Sequence, residues 1–175
     1  MPSQSERDAA RRREILDAAQ GCFLRFGFSK TSLDDIAREA KLSRPLLYRK
    51  YPNKEAIFAA LYDRVFRVQF DKAAEVIDGR GSKAARLRQA CELVCIEPYE
   101  MILDAPMAEE FWVACDDVIP EILDEHETLW RSLLARVLPR QLVEVFNLAL
   151  DGMYADKPAT AALRARIAIL VERFV

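Results

Sequence analysis

Apolar residues recur every three to four positions along almost the whole chain, the spacing of one helix face. Ile15, Ala19, Phe23 and Phe26 form the first stripe and predict a helix over roughly residues 5–27, ended by Gly27. Leu33, Ile36, Ala37 and Ala40 form a short second stripe, with Thr31 or Ser32 available to cap its start. Ser43 can cap a third helix from Arg44 to about Lys50. Pro45 lies in its first turn, where a missing N–H is harmless. Pro52-Asn53 interrupts the pattern. Asn53 then caps a longer helix carrying Phe58, Leu61, Tyr62, Val65 and Phe66 and ending near Asp78-Gly79-Arg80-Gly81.

Ser82 opens a fifth helix with Leu87, Cys91, Val94 and Cys95, which Pro98 is expected to end or kink. A broken stretch is expected from Tyr99 to Pro106. Phe111, Trp112 and Cys115 belong to the next segment. Ile119, Ile122, His126, Trp130, Leu133 and Val137 make a long stripe that Pro139 ends. Residues 141–154 are apolar nearly all round (Leu142, Val143, Val145, Phe146, Leu148, Leu150), the pattern of a helix buried on more than one side. Lys157-Pro158 breaks the chain again, and Ala162, Leu163, Ile167, Leu170, Val171 and Phe174 make a last helix. No alternating pattern bounded by hairpin turns occurs. The expectation is an all-α fold of about nine helices.

Composition supports this and adds a polarity. The 175 residues are 51% hydrophobic and 31% charged, enough for a real core, and 5 Gly with 8 Pro are too few for a loop-rich all-β chain. No apolar run of 18 residues exists, so no membrane span is expected. The opening MPSQSERDAARRR lacks the apolar segment of a secretory signal, so a cytoplasmic location is expected. The formal net charge of −2 conceals a split. Residues 1–60 hold 12 Lys/Arg against 8 Asp/Glu, and residues 61–175 hold 14 against 20. A basic head on an acidic body is the asymmetry of a DNA-binding module joined to a larger one.

Residues 31–51 read TSLDDIAREAKLSRPLLYRKY, two short helices joined by a three-residue turn. That is a helix-turn-helix. Ala37 is small where the helices must cross, and Ile36, Ala40, Leu42 and Leu47 can form their contact. Arg44, Pro45, Leu46, Tyr48 and Arg49 are then left on or near an exposed face, which in this motif enters the major groove.

The run from Arg13 to Leu61 resembles the DNA-binding head of TetR-family transcriptional regulators. The resemblance rests on Ile15-Leu16-Asp17-Ala18-Ala19, Phe23, Phe26-Gly27, Thr31-Ser32, Ile36-Ala37, Ala40, Ser43, Leu47-Tyr48, Tyr51 and Lys54-Glu55, and covers about 50 of 175 residues. Two positions depart from the family pattern: Lys41 stands where a turn glycine is usual, and Pro45 where a small residue is common. A lysine in left-handed geometry costs roughly 1 kcal/mol.

The resemblance implies a DNA-binding domain over residues 1–55, with its motif at about 32–51 and an extension into the fourth helix to about 69. An effector-binding and dimerisation domain would follow over 56–175. Thr31 and Ser32 would offer hydroxyls and N–H groups to a phosphate, and Arg44 a bidentate contact to guanine. Tyr48 would touch the backbone or a base. Arg49, Lys50, Tyr51 and Lys54 would reach phosphates. The partner would be double-stranded DNA with a palindromic operator, bound by a homodimer formed through the last two helices. The link at Val137–Leu142 is short for the family, and the chain ends at Val175 within an apolar stripe, as a shortened loop or tail would leave it.

The family resemblance also implies a small effector within the body. Tyr62, Phe66, Cys91, Cys95, Tyr99, Met107, Phe111, Trp112, Cys115, His126 and Trp130 are the candidate lining, suited to a hydrophobic or flat molecule. Each is also an ordinary core residue by its spacing, His126 included. Four cysteines without a C-x-x-C, and a single histidine, suggest no metal or cofactor. Thiol sensing remains an alternative, as does a regulator without an effector. An enzyme is not expected: Glu109-Glu110 and Asp116-Asp117 are neighbours that point apart on a helix, and no nucleophile elbow, phosphate loop or zinc motif occurs. A non-catalytic helical adaptor is the remaining distant alternative, and it would not explain Arg44, Tyr48 and Lys54 in register.

Overall fold

The computed structural model describes residues 3–175, and among these nine helices and no strands are found. They are α1 (Gln4–Phe26), α2 (Leu33–Glu39), α3 (Arg44–Lys50), α4 (Lys54–Asp78), α5 (83–103), α6 (Ala108–Val118), α7 (Pro120–Leu134), α8 (Arg140–Gly152) and α9 (Thr160–Phe174). Among the described residues no helix is long and apolar enough to cross a membrane.

Most boundaries follow from local chemistry. Ser3 and Glu6 form a reciprocal capping box at the start of α1, and Ser32 and Asp35 do the same for α2. Asn53 Oδ1 accepts the Ala56 N–H at 2.8 Å at the head of α4, and Ser82 caps α5 through the Ala85 N–H. Ser43 occupies the N-cap position of α3 but its hydroxyl makes no cap bond. That helix relies on Pro45, whose fixed φ suits the first turn.

Pro98 does not end α5. Regular α-helix over Lys83–Cys91 passes into a π-helical turn at Glu92–Ile96 and continues as Glu97–Leu103. In a regular helix the proline ring would strike the carbonyl four residues back and leave it without a donor. The π turn just before it, with the Glu97 N–H bonded to the Glu92 carbonyl, widens the helix and absorbs the misfit. The broken stretch is therefore confined to residues 104–107.

The chain forms two compact units. The first comprises Met1–Arg64 and Asp104–Leu123, and the second Val65–Leu103 and Asp124–Val175. In the first, Phe23, Phe28, Phe58 and Phe111 meet at ring-centroid distances of 5.0–5.5 Å, beside the fully buried Ile15, Ile36, Leu47, Ile57 and Leu61. Such tilted and edge-on pairs add to the burial of the rings. In the second, Ile77, Leu87, Ile96, Leu134, Phe146, Leu163, Ile167 and Val171 make the core. Phe146 and Phe174 join α8 to α9 edge-to-face at 5.3 Å.

Residues 141–154 are not buried on several sides. Within the single chain α8 buries Val143, Phe146, Asn147 and Leu150, while Val145 is 52% and Leu148 61% exposed. On α9, Ile169 is 60% exposed.

Candidate nucleic-acid interface

The turn between α2 and α3 is a Schellman motif. The Lys41 N–H bonds the Arg38 carbonyl at 3.1 Å and the Leu42 N–H bonds the Ala37 carbonyl at 2.9 Å. Lys41 sits in left-handed geometry at φ 55°, as its place in the turn demands. Leu42 is partly covered, and Leu47 is fully buried. With Leu47 inward, Arg44, Pro45, Tyr48 and Arg49 share the exposed face of α3, since residues four apart lie one above the other. Tyr48 is 51% exposed. Leu46 and Lys50 flank this face, partly covered. Arg44 is held: its Nη2 lies 2.9 Å from Asp34 Oδ2 on α2.

The residues expected to meet phosphate are placed less uniformly. Thr31 is buried, and its hydroxyl donates to the Gly27 carbonyl at 2.6 Å, so it closes the loop before α2 and does not face solvent. The Ser32 hydroxyl is engaged with Asp35 in the capping box. Lys54 differs most from the expectation. Its Nζ donates to the carbonyls of Phe28 (2.8 Å), Ser29 (3.2 Å) and Thr31 (3.2 Å) and lies 4.4 Å from the Phe28 ring centroid. An ammonium has three donors, and the loop takes all of them. Tyr51 is buried, and its hydroxyl accepts from Arg12 Nε at 3.1 Å. Lys50 pairs with Asp8 at 2.7 Å, and that bond holds the Asp8 carboxyl below its usual value. Arg49 stays exposed.

Three residues outside the sequence-predicted set hold this surface in place. Arg12 supports Tyr51, Asp34 holds Arg44, and Glu110 on α6 accepts the Ser29 N–H at 2.7 Å. Glu110 could not be found from sequence, because it lies 81 residues from its partner. The basic run Arg11-Arg12-Arg13 was a visible signal for Arg12, and all three are exposed.

The candidate effector residues are divided between the two units. Tyr62, Met107, Phe111, Trp112 and Cys115 belong to the first unit. Phe66, Cys91, Cys95, Tyr99, His126 and Trp130 belong to the second. There the buried His126 packs against Phe66 and Phe70 at ring distances of 5.6 and 5.4 Å. Tyr99 donates to the Pro158 carbonyl at 2.8 Å and Tyr154 to the Cys95 carbonyl at 3.1 Å. Burial pushes the Cys115 thiol up to about 12, and a hydrogen bond donated to Cys95, together with burial, raises Cys91 well above its usual value. Such thiols are protonated and unreactive.

An exposed helix after a Schellman turn, with Leu47 buried in the core, defines a helix-turn-helix head, and the second unit is all-helical among the described residues. Residues 15–61 match the model of the bacterial regulatory proteins, tetR family. This stretch is that of a TetR-family DNA-binding head. The chain is 35% identical over 88 residues to the HTH-type transcriptional regulator EthR of Mycolicibacterium smegmatis, covering 49% of this chain and 39% of that protein. It is 39% identical over 62 residues to the HTH-type transcriptional repressor Rv1474c of Mycobacterium tuberculosis, covering 35% and 33%. The chain thus matches little more than a third of the length of these curated relatives. A crystal structure of a TetR-like transcriptional regulator from a Rhodococcus species superposes over 99% of this chain and 97% of its own, with a TM-score of 0.66 and 24% identity, a likeness of fold.

Proposed function

We propose that the protein is a sequence-specific DNA-binding repressor that acts as a homodimer on a palindromic operator and is released by a small effector. The observation that carries this reading is the exposed face of α3. Arg44, Pro45, Tyr48 and Arg49 project from a helix whose Leu47 is locked into the core. Arg44 reads a guanine, Pro45 and Leu46 offer apolar contact to a thymine methyl, and Tyr48 and Arg49 meet bases or backbone. Lys50 reaches phosphate by exchanging Asp8 for it. Thr31, Ser32, Tyr51 and Lys54 act by shaping the surface that carries these groups.

One head reads only a few base pairs, so two are required. The exposed Val145, Leu148 and Ile169 on the last two helices support the dimer face. The effector site is best supported in the second unit. The Trp130 indole N–H and Gln69 Oε1 are buried in that unit without a protein partner, and the same unit holds the packed rings of Phe66, Phe70 and His126. Buried polar groups are nearly always satisfied, so a flat apolar molecule with one acceptor and one donor suits them. Repression is the direction named for the Mycobacterium tuberculosis relative.

The test is selection of a binding site from random duplexes, followed by titration at several salt concentrations. A palindromic consensus whose affinity falls steeply with salt is expected. Binding that is weak and indifferent to sequence overturns the reading. A reporter gene behind the selected site distinguishes repression from activation.

A further inference from the structure

We infer that Asp34 is a specificity-determining residue, acting as a positioning group that holds Arg44 for base contact and keeps it from serving the phosphates. The inference rests on α3 being the helix that enters the groove. Asp34 stands in the first turn of α2, and its Oδ2 lies 2.9 Å from Arg44 Nη2. The neighbouring acid has other work: Asp35 closes the α2 capping box with Ser32 and pairs with Arg38 at 3.2 Å. Asp34 is thus the carboxylate aimed across the turn at the first residue of the exposed helix.

This pair does little for the fold. The Arg44 side chain is 67% exposed and that of Asp34 33%, and ion pairs in such settings contribute little stability. Its consequence is directional. A guanidinium has five donors in a rigid fork, and a guanine needs two of them in parallel. Asp34 engages one terminal nitrogen and tethers that end of the guanidinium, which leaves its other donors to project outward. An untethered arginine at the same place would satisfy any passing phosphate, because phosphate contact carries no sequence information. The carboxylate also places a negative charge beside the approaching backbone, so it weakens sequence-indifferent binding. Both effects raise the ratio of specific to non-specific affinity.

The experiment uses the full chain with Asp34→Asn and Asp34→Glu, titrated against the selected operator, its single-base variants and a random duplex. Asp34→Asn should bind the random duplex several-fold tighter and show a salt slope steeper by about one, as Arg44 joins the phosphate contacts. Discrimination at the base pair read by Arg44 should fall about tenfold, with other positions unchanged. Asp34→Glu should restore most of that discrimination. An unchanged base preference and salt slope in Asp34→Asn, with an unchanged melting temperature, overturns the inference while leaving the groove-helix reading intact. Should the wild type select no consensus at all, both fall together.

Discussion

The Glu110 carboxylate accepts the backbone N–H of Ser29 at 2.7 Å, and so fastens α6 to the loop that leads into the helix-turn-helix. Lys54 holds the same loop through three carbonyls. The bonds from Ser29, with Lys30 and Lys54 nearby, keep the Glu110 carboxyl below its ordinary value of 4.5. A depressed carboxylate stabilises the fold above its ordinary value and loses that contribution as pH falls through its folded value. Glu110→Gln should therefore melt lower than the wild type at pH 7. The two curves should converge as pH falls from about 5 toward 3. Thermal melts across that range check this, and a gap that persists at the acid end contradicts it.

Gly27 ends α1 at φ 90° and ψ 157°, a region in which side chains are strained. A Cβ there would also overlap the Glu110 carboxylate. Gly27→Ala should destabilise the protein by about 1–3 kcal/mol from backbone strain, plus the loss of the Glu110 bond. Urea unfolding of Gly27→Ala, Glu110→Ala and the double variant separates these. The double variant should be more stable than the sum of the single effects implies, because the Glu110 loss is shared.

Lys41 bears left-handed strain at φ 55° that a glycine would not feel. Lys41→Gly should raise stability by up to about 1 kcal/mol in urea unfolding, offset in part by the freer unfolded chain. A lowered unfolding midpoint would show that the lysine side chain contributes more than the turn geometry indicates.

Leu148 and Val145 lie on the outer face of α8, opposite its buried Val143, Phe146 and Leu150. Leu148→Glu should leave the helical circular dichroism unchanged, since the side chain is 61% exposed in the single chain. It should shift sedimentation from dimer to monomer and weaken operator binding at least tenfold, through loss of the paired heads. A dimer that survives Leu148→Glu together with Val145→Glu places the interface elsewhere.

Much of the fold was legible because its causes are local. The stripes through Ile15–Phe26 and Leu33–Ala40, the serine caps and the terminating Gly27 act within one turn of the residues they govern. Pro98 was expected to end or kink α5, and the helix instead continues to Leu103, because the remedy for a helix proline, a π turn formed just upstream, carries no residue signature. The apolar circumference of 141–154 misled for another reason. Spacing shows which residues are apolar, but not whether a neighbour within the same chain or a second chain covers them.

The sequence by itself determined the all-α class, the helix-turn-helix and the outward face Arg44, Pro45, Tyr48 and Arg49, since period, caps and turn chemistry follow from residues a few positions apart. Only the tertiary structure decided which polar groups remain available. Lys54 and Thr31 are spent on the loop at 27–31, Tyr51 is buried beneath Arg12, and Asp34 and Glu110 take partners from other elements. A hydrogen-bonding group satisfies whichever partner folding brings within about 3 Å, and that choice is made by packing, not by spacing along the chain.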